Sequence, residues 1–155
     1  MSRSTARRAP RNDRYTEGLA SVLTTALKRR GMKKGDQAVL IAARPLGGAE
    51  DGGPAEIICG TRPNYPPKVE LLDLSLEERR VAEHILAESL EDPAFEPWSD
   101  LVVGIRVRTG GIEVAGMPRP LAALDDPAQR RTRERYLANP PLARVESLLA
   151  MMNGR

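Results

Sequence analysis

The run Ala38-Val39-Leu40-Ile41-Ala42-Ala43 contains no polar side chain. A strand with one face in water alternates apolar and polar residues, whereas a strand apolar on both sides belongs in the middle of a sheet. The segment before it is read in the same way. Lys33-Lys34-Gly35-Asp36 has the composition of a turn. Upstream of that turn, Leu19, Val22, Leu23, Ala26 and Leu27 recur at the spacing of one buried helix face, which predicts a helix from about Thr16 to Arg30. Thr16 is its expected cap, with Glu17 at the positive end of the dipole, Lys28 to Arg30 at the negative end and Gly31 in the left-handed stop position.

Downstream, Gly47 to Pro54 is glycine-rich and predicts a loop leading to a second strand at about Glu56 to Thr61, with a third from Lys68 to Leu72. Pro63, Pro66 and Pro67 separate these two. Ser75 and Glu78 form a capping-box pattern, opening a helix that ends at Asp92-Pro93 and turns Val81, Ala82, Ile85, Leu86 and Leu90 inward. Phe95 and Trp98 fall in a Pro-containing loop. Leu101 to Arg108, Thr109-Gly110-Gly111 and Ile112 to Ala115 read as a hairpin, with Arg106, Arg108 and Glu113 sharing its outer face. Asp126-Pro127 marks one helix start and Asn139 with Pro140-Pro141 another. The last helix lines up Leu142, Val145, Leu148, Leu149 and Met152, while the one before it has no apolar face. The expected fold class is α+β: a small mixed or antiparallel sheet packed with about four helices. A basic arm at 1–13 of disordered type precedes a single domain at 14–155, whose C-terminal helices span 126–153.

The net charge of +3 is unevenly spread, because Arg3, Arg7, Arg8, Arg11 and Arg14 face only Asp13 and leave the remaining chain close to neutral. Of 24 basic residues four are lysines, Lys28, Lys33, Lys34 and Lys68. The arginine preference suits bidentate phosphate contacts, although a GC-rich coding sequence produces the same bias. Two more basic clusters stand out: Lys28, Arg29, Arg30, Lys33 and Lys34 at the end of the first helix, and Arg130, Arg131, Arg133 and Arg135 on the helix without an apolar face. Such groups bind phosphate backbones without reading sequence. No aromatic residue is interleaved with them, so base stacking is not expected.

Catalytic chemistry finds little support. His84, the sole histidine, has Arg80 and Glu88 four residues to either side, the pattern of a solvated helix face. Cys59, the sole cysteine, lies in the apolar run Ile57-Ile58-Cys59. This points to a small buried thiol, a reducing compartment and a location in the cytoplasm or within a particle assembled there. One cysteine and one histidine cannot supply the three or four soft ligands of a zinc site. Asp36, Glu56, Glu70, Asp73, Glu113, Asp125 and Asp126 are the carboxylates available to a magnesium ion. The Gly47 to Pro54 loop carries acids and leads into a strand, unlike a phosphate loop.

Residues Leu19 to Arg44, above all Arg30-Gly31-Met32-Lys33-Lys34-Gly35-Asp36-Gln37-Ala38-Val39-Leu40, resemble the helix, Lys-Lys-Gly-Asp turn and strand near the start of adenylate-forming enzymes. The same turn resembles that before a strand in AbrB-like DNA-binding domains. The likeness is confined to one helix-to-strand junction and lacks the Ser/Thr/Gly-rich phosphate loop, so it implies no activity.

The sequence thus predicts a non-enzymatic assembly or structural subunit of a nucleoprotein or virion-like particle, without a cofactor or metal. Its expected partners are nucleic acid held by backbone contacts and protein neighbours or copies of itself, with no membrane, since no apolar run approaches the ~20 residues of a span. A small metal-dependent enzyme or small-molecule-binding domain, and a regulatory protein-interaction module, are the alternatives.

Overall fold

The structure, a computed structural model, describes residues 14–44, 55–96, 98–120 and 125–153, with backbone alone at 117–120. The arm at 1–13, with Arg3, Arg7, Arg8 and Arg11, and the Gly47 to Pro54 loop lie outside the described residues. The apolar run forms β1 (Gln37–Ala43), which is buried at every position. It is the middle strand of five. β2 (Glu56–Arg62) pairs along one side of it and β4 (Trp98–Arg108) along the other. β3 (Glu70–Leu71) and β5 (Gly111–Pro120) form the edges, giving the order β3-β2-β1-β4-β5, antiparallel throughout.

Because β1 is apolar on both faces, both faces of the sheet are covered. On one, α1 (Arg14–Arg30) and α2 (Leu76–Glu91) bury Leu19, Leu23 and Leu27 against Leu40, Leu101, Val103 and Ile105. On the other, α4 (Pro141–Asn153) lays Val145, Leu148 and Leu149 on Val39, Ile41, Ile58 and Val102. The helix comes this close because Gly60 and Gly104 face it: a Cβ on Gly60 would overlap the Val145 side chain, and one on Gly104 would overlap that of Met152. The result is an α+β fold in three layers.

Two arginines fasten the C-terminal helices. On α3 (Pro127–Ala138), Arg133 is the only buried residue. Its guanidinium donates from Nε to Asp100 Oδ2 at 2.9 Å and from Nη2 to Asp100 Oδ1 at 3.1 Å, and Nη2 also reaches the Ser99 carbonyl at 3.1 Å. On α4, Arg144 makes the same two-pronged contact with Glu56 at 3.0 and 3.2 Å. A helix with no apolar face is thus held by a planar, charge-assisted fork.

The capping box of α2 is formed as the sequence implies, with the Glu78 N–H on Ser75 Oγ and the Ser75 N–H on Glu78 Oε1. Asp126 caps α3 with Pro127 at its first position. Elsewhere the chain departs from expectation. α1 already includes Arg14, so Thr16 lies buried within it instead of capping it. The Tyr15 ring packs edge-on against Phe95 at 5.0 Å and its hydroxyl donates to Asp92, which ties this end of α1 to the end of α2. Trp98 opens β4 instead of sitting in a loop, fully buried with its indole N–H on Ser89 Oγ. The third strand shrinks to Glu70–Leu71. Val81 and Leu142 are exposed, since Ala82 with Leu86, and Val145 with Leu149, already fill the inward faces. Asn139 caps the end of α3, and α4 starts at Pro141.

Replacing Arg133 by Met removes both guanidinium bonds to the buried Asp100 carboxylate, and urea denaturation is expected to show a loss of about 3–5 kcal/mol. Most of that loss is recovered when Asp100→Leu is added.

Candidate nucleic-acid interface

The antiparallel register defines two ends of the sheet. Ala38 at the start of β1 pairs with Thr61 at the end of β2, and Thr61 pairs with Glu70 of β3. The turn that follows α1 and the loop that precedes β3 therefore emerge side by side. Their union is built by two residues. Gly35, at φ +92°, packs directly on the Asn64 side chain, where a Cβ would have no room. The Asp36 carboxylate, almost fully buried, accepts the Lys33 N–H through one oxygen and the Asn64 N–H through the other, both at 2.8 Å. Gly35 and Val107 extend the same junction to β4 by backbone hydrogen bonds.

Between turn and loop lies a cleft of about 240 Å³ whose walls include Arg30, Lys33, Lys68, Glu70 and Tyr65. Lys28 lies in the last turn of α1 and Lys34 beside Lys33, so every lysine of the chain belongs to this end of the molecule. All four are exposed, and none has an ion pair among the described residues. The nearby arginines differ. Arg29 donates to both Glu78 oxygens and to the Asp73 carbonyl, Arg30 pairs with Glu70, and Arg106 and Arg108 flank Glu113. The lysine ammonium groups at this end are thus uncompensated, as is the guanidinium of Arg62 at the end of β2.

The cations singled out in the sequence divide accordingly. Lys28, Lys33 and Lys34 stand free at the cleft end, while Arg29 and Arg30 there are tied to acids. Arg133 belongs to the interior. Arg130, Arg131 and Arg135 are exposed on α3, which Arg133 anchors at Asp100, opposite Ala43 at the far end of β1. Arg14 is far from the cleft as well, because α1 has 17 residues and so is about 25 Å long. Lys68 and Tyr65 were missed by sequence clustering, since only the pairing of β1, β2 and β3 brings their loop to residues 28–34. The expectation that no aromatic accompanies the basic cluster is corrected by Tyr65, which is 86% exposed on the cleft wall.

The groups weighed for catalysis are occupied otherwise. Cys59 is buried in the core, where desolvation pushes its thiol up to about 12, and His84 is an exposed α2 residue 3.8 Å from Glu88. Asp36, Glu56, Glu70, Glu113 and Asp126 are held by the bonds described above. Among the described residues no three His, Cys, Asp or Glu side chains gather as a metal site, and no helix is long and apolar enough to cross a membrane. No protein-family model and no curated protein matches the chain.

Glu78 links this end of α1 to α2. Hydrogen bonds from Arg29, and then from the Ser75 N–H, hold its carboxyl below the usual glutamate range. With the folded value below the unfolded one, the stabilisation is complete at neutral pH and is lost as pH falls through the glutamate range and below it. Urea midpoints measured across this range are expected to fall less steeply with acid in Glu78→Gln than in the parent chain.

Proposed function

We propose that this chain is a non-catalytic, nucleic-acid-binding component of a nucleoprotein assembly, in which the lysine-lined end of the sheet takes the phosphate backbone. The observation that carries this reading is the sorting of cations. Arg29, Arg30, Arg133 and Arg144 are tied to carboxylates, while all four lysines are exposed, have no ion pair among the described residues and gather at the end of the sheet that holds the cleft. An ammonium on a flexible stem is a mobile point charge that follows a phosphate backbone without demanding one geometry. Contacts of this kind release counterions and give affinity that is independent of sequence and steeply dependent on salt. Arg3, Arg7, Arg8 and Arg11 of the segment before α1 would add further cations for the same polymer.

The test is the salt dependence of binding to a mixed-sequence oligonucleotide, for the full chain and for a variant with Lys28, Lys33, Lys34 and Lys68 all changed to Gln. Each lost phosphate contact lowers the slope of log K against log salt by about 0.7–0.9, so the variant is expected to lose about 3 from that slope. Absence of binding at low salt, or an unchanged slope in the variant, would refute the proposal.

A further inference from the structure

The nucleic-acid reading leaves open which form of the polymer the cleft accepts, and Tyr65 bears on this. All five aromatic residues of the chain fall among the described residues. Tyr15, Phe95 and Trp98 are buried and Tyr136 is half-buried, so Tyr65 is the one aromatic ring presented to water. It stands between Pro63 and Pro66 on the wall of the cleft that Lys33 and Lys68 also line. Prolines offer no N–H to a ligand, and their fixed φ stiffens the support beneath the ring.

The charges around the ring are also sorted. Glu70 is paired with Arg30, and both oxygens of Asp36 are turned onto backbone N–H groups. The free charges left in the cleft are the ammonium groups of Lys33 and Lys68. At about 240 Å³ the space lies below the roughly 300–1,000 Å³ of pockets that enclose a whole small molecule, and it suits one flat group laid against a platform.

We propose that this cleft selects single-stranded nucleic acid: an unpaired base stacks on Tyr65 while the adjoining phosphates meet Lys33 and Lys68. The inference rests on the nucleic-acid reading and adds the strand state. Duplex DNA or RNA keeps its base faces stacked internally, so it can use the lysines but not the ring. A single strand uses both, and stacking tolerates any base because every base has a π-face.

The experiment is fluorescence anisotropy with the full chain, comparing a labelled mixed-sequence single strand of about 12 nucleotides with the duplex of the same length at one salt concentration. Tyr65→Ala is expected to weaken single-strand binding roughly tenfold and to leave duplex binding unchanged, with Tyr65→Phe restoring the parent affinity. Lys68→Gln is expected to weaken both ligands alike. Because Tyr65 is so exposed, its replacement leaves the packed core untouched. Single-strand binding that is unaffected by Tyr65→Ala, or an equal loss on both ligands, overturns the stacking proposal while the backbone-binding function stands. Failure to bind either ligand overturns both.

Discussion

The double burial of β1 is the constraint from which the rest of the architecture follows. A strand with apolar side chains on both faces cannot lie on a half-solvated sheet, so each face has to acquire its own layer. On one side the cover is α1 with α2, whose leucines meet Leu40 and its neighbours. On the other it is α4, which reaches the sheet only because Gly60 and Gly104 present no side chain to it. Without that second layer, Val39 and Ile41 would lie in water.

The same arrangement explains how arginine and lysine divide their work. The outer helices need fixed points at the margins of the sheet, and a guanidinium supplies two parallel bonds to a carboxylate in one plane. Arg133 on Asp100 and Arg144 on Glu56 are such points. Lysine, a compact and strongly hydrated charge, is poorly suited to burial of this kind. Lys33, Lys34 and Lys68 occur where the chain turns, next to the junction that Asp36 closes, and Lys28 lies in the last turn of α1. The two buried arginines thus do structural work at the sheet margins, while the lysines stay exposed and unpaired at one end of the sheet.

Much of this order could be read from local pattern. The periodicity of α1, the Ser75 and Glu78 box, the Gly110 hairpin and the Asp126-Pro127 start are properties of a few adjacent residues, and each appears where those residues place it. What escaped was set by distant partners. Tyr15 ties the start of the described α1 to Asp92, which lies far along the chain. Arg133 looked like one more surface arginine because Asp100, its buried partner, sits in a strand that nothing local connects to α3. Lys68 and Tyr65 join residues 28–34 only through the pairing of β1 with β2 and β2 with β3, so the cleft had no signature in the linear chain.

The claim that one end of the sheet is the binding face is tested most directly by titrating an isotope-labelled full chain with a single-stranded oligonucleotide while following backbone amide and lysine side-chain NMR shifts. The account predicts that the perturbed signals concentrate at residues 28–36 and 62–70. Perturbations confined to the arm and to residues 125–135, with the cleft silent, would contradict it.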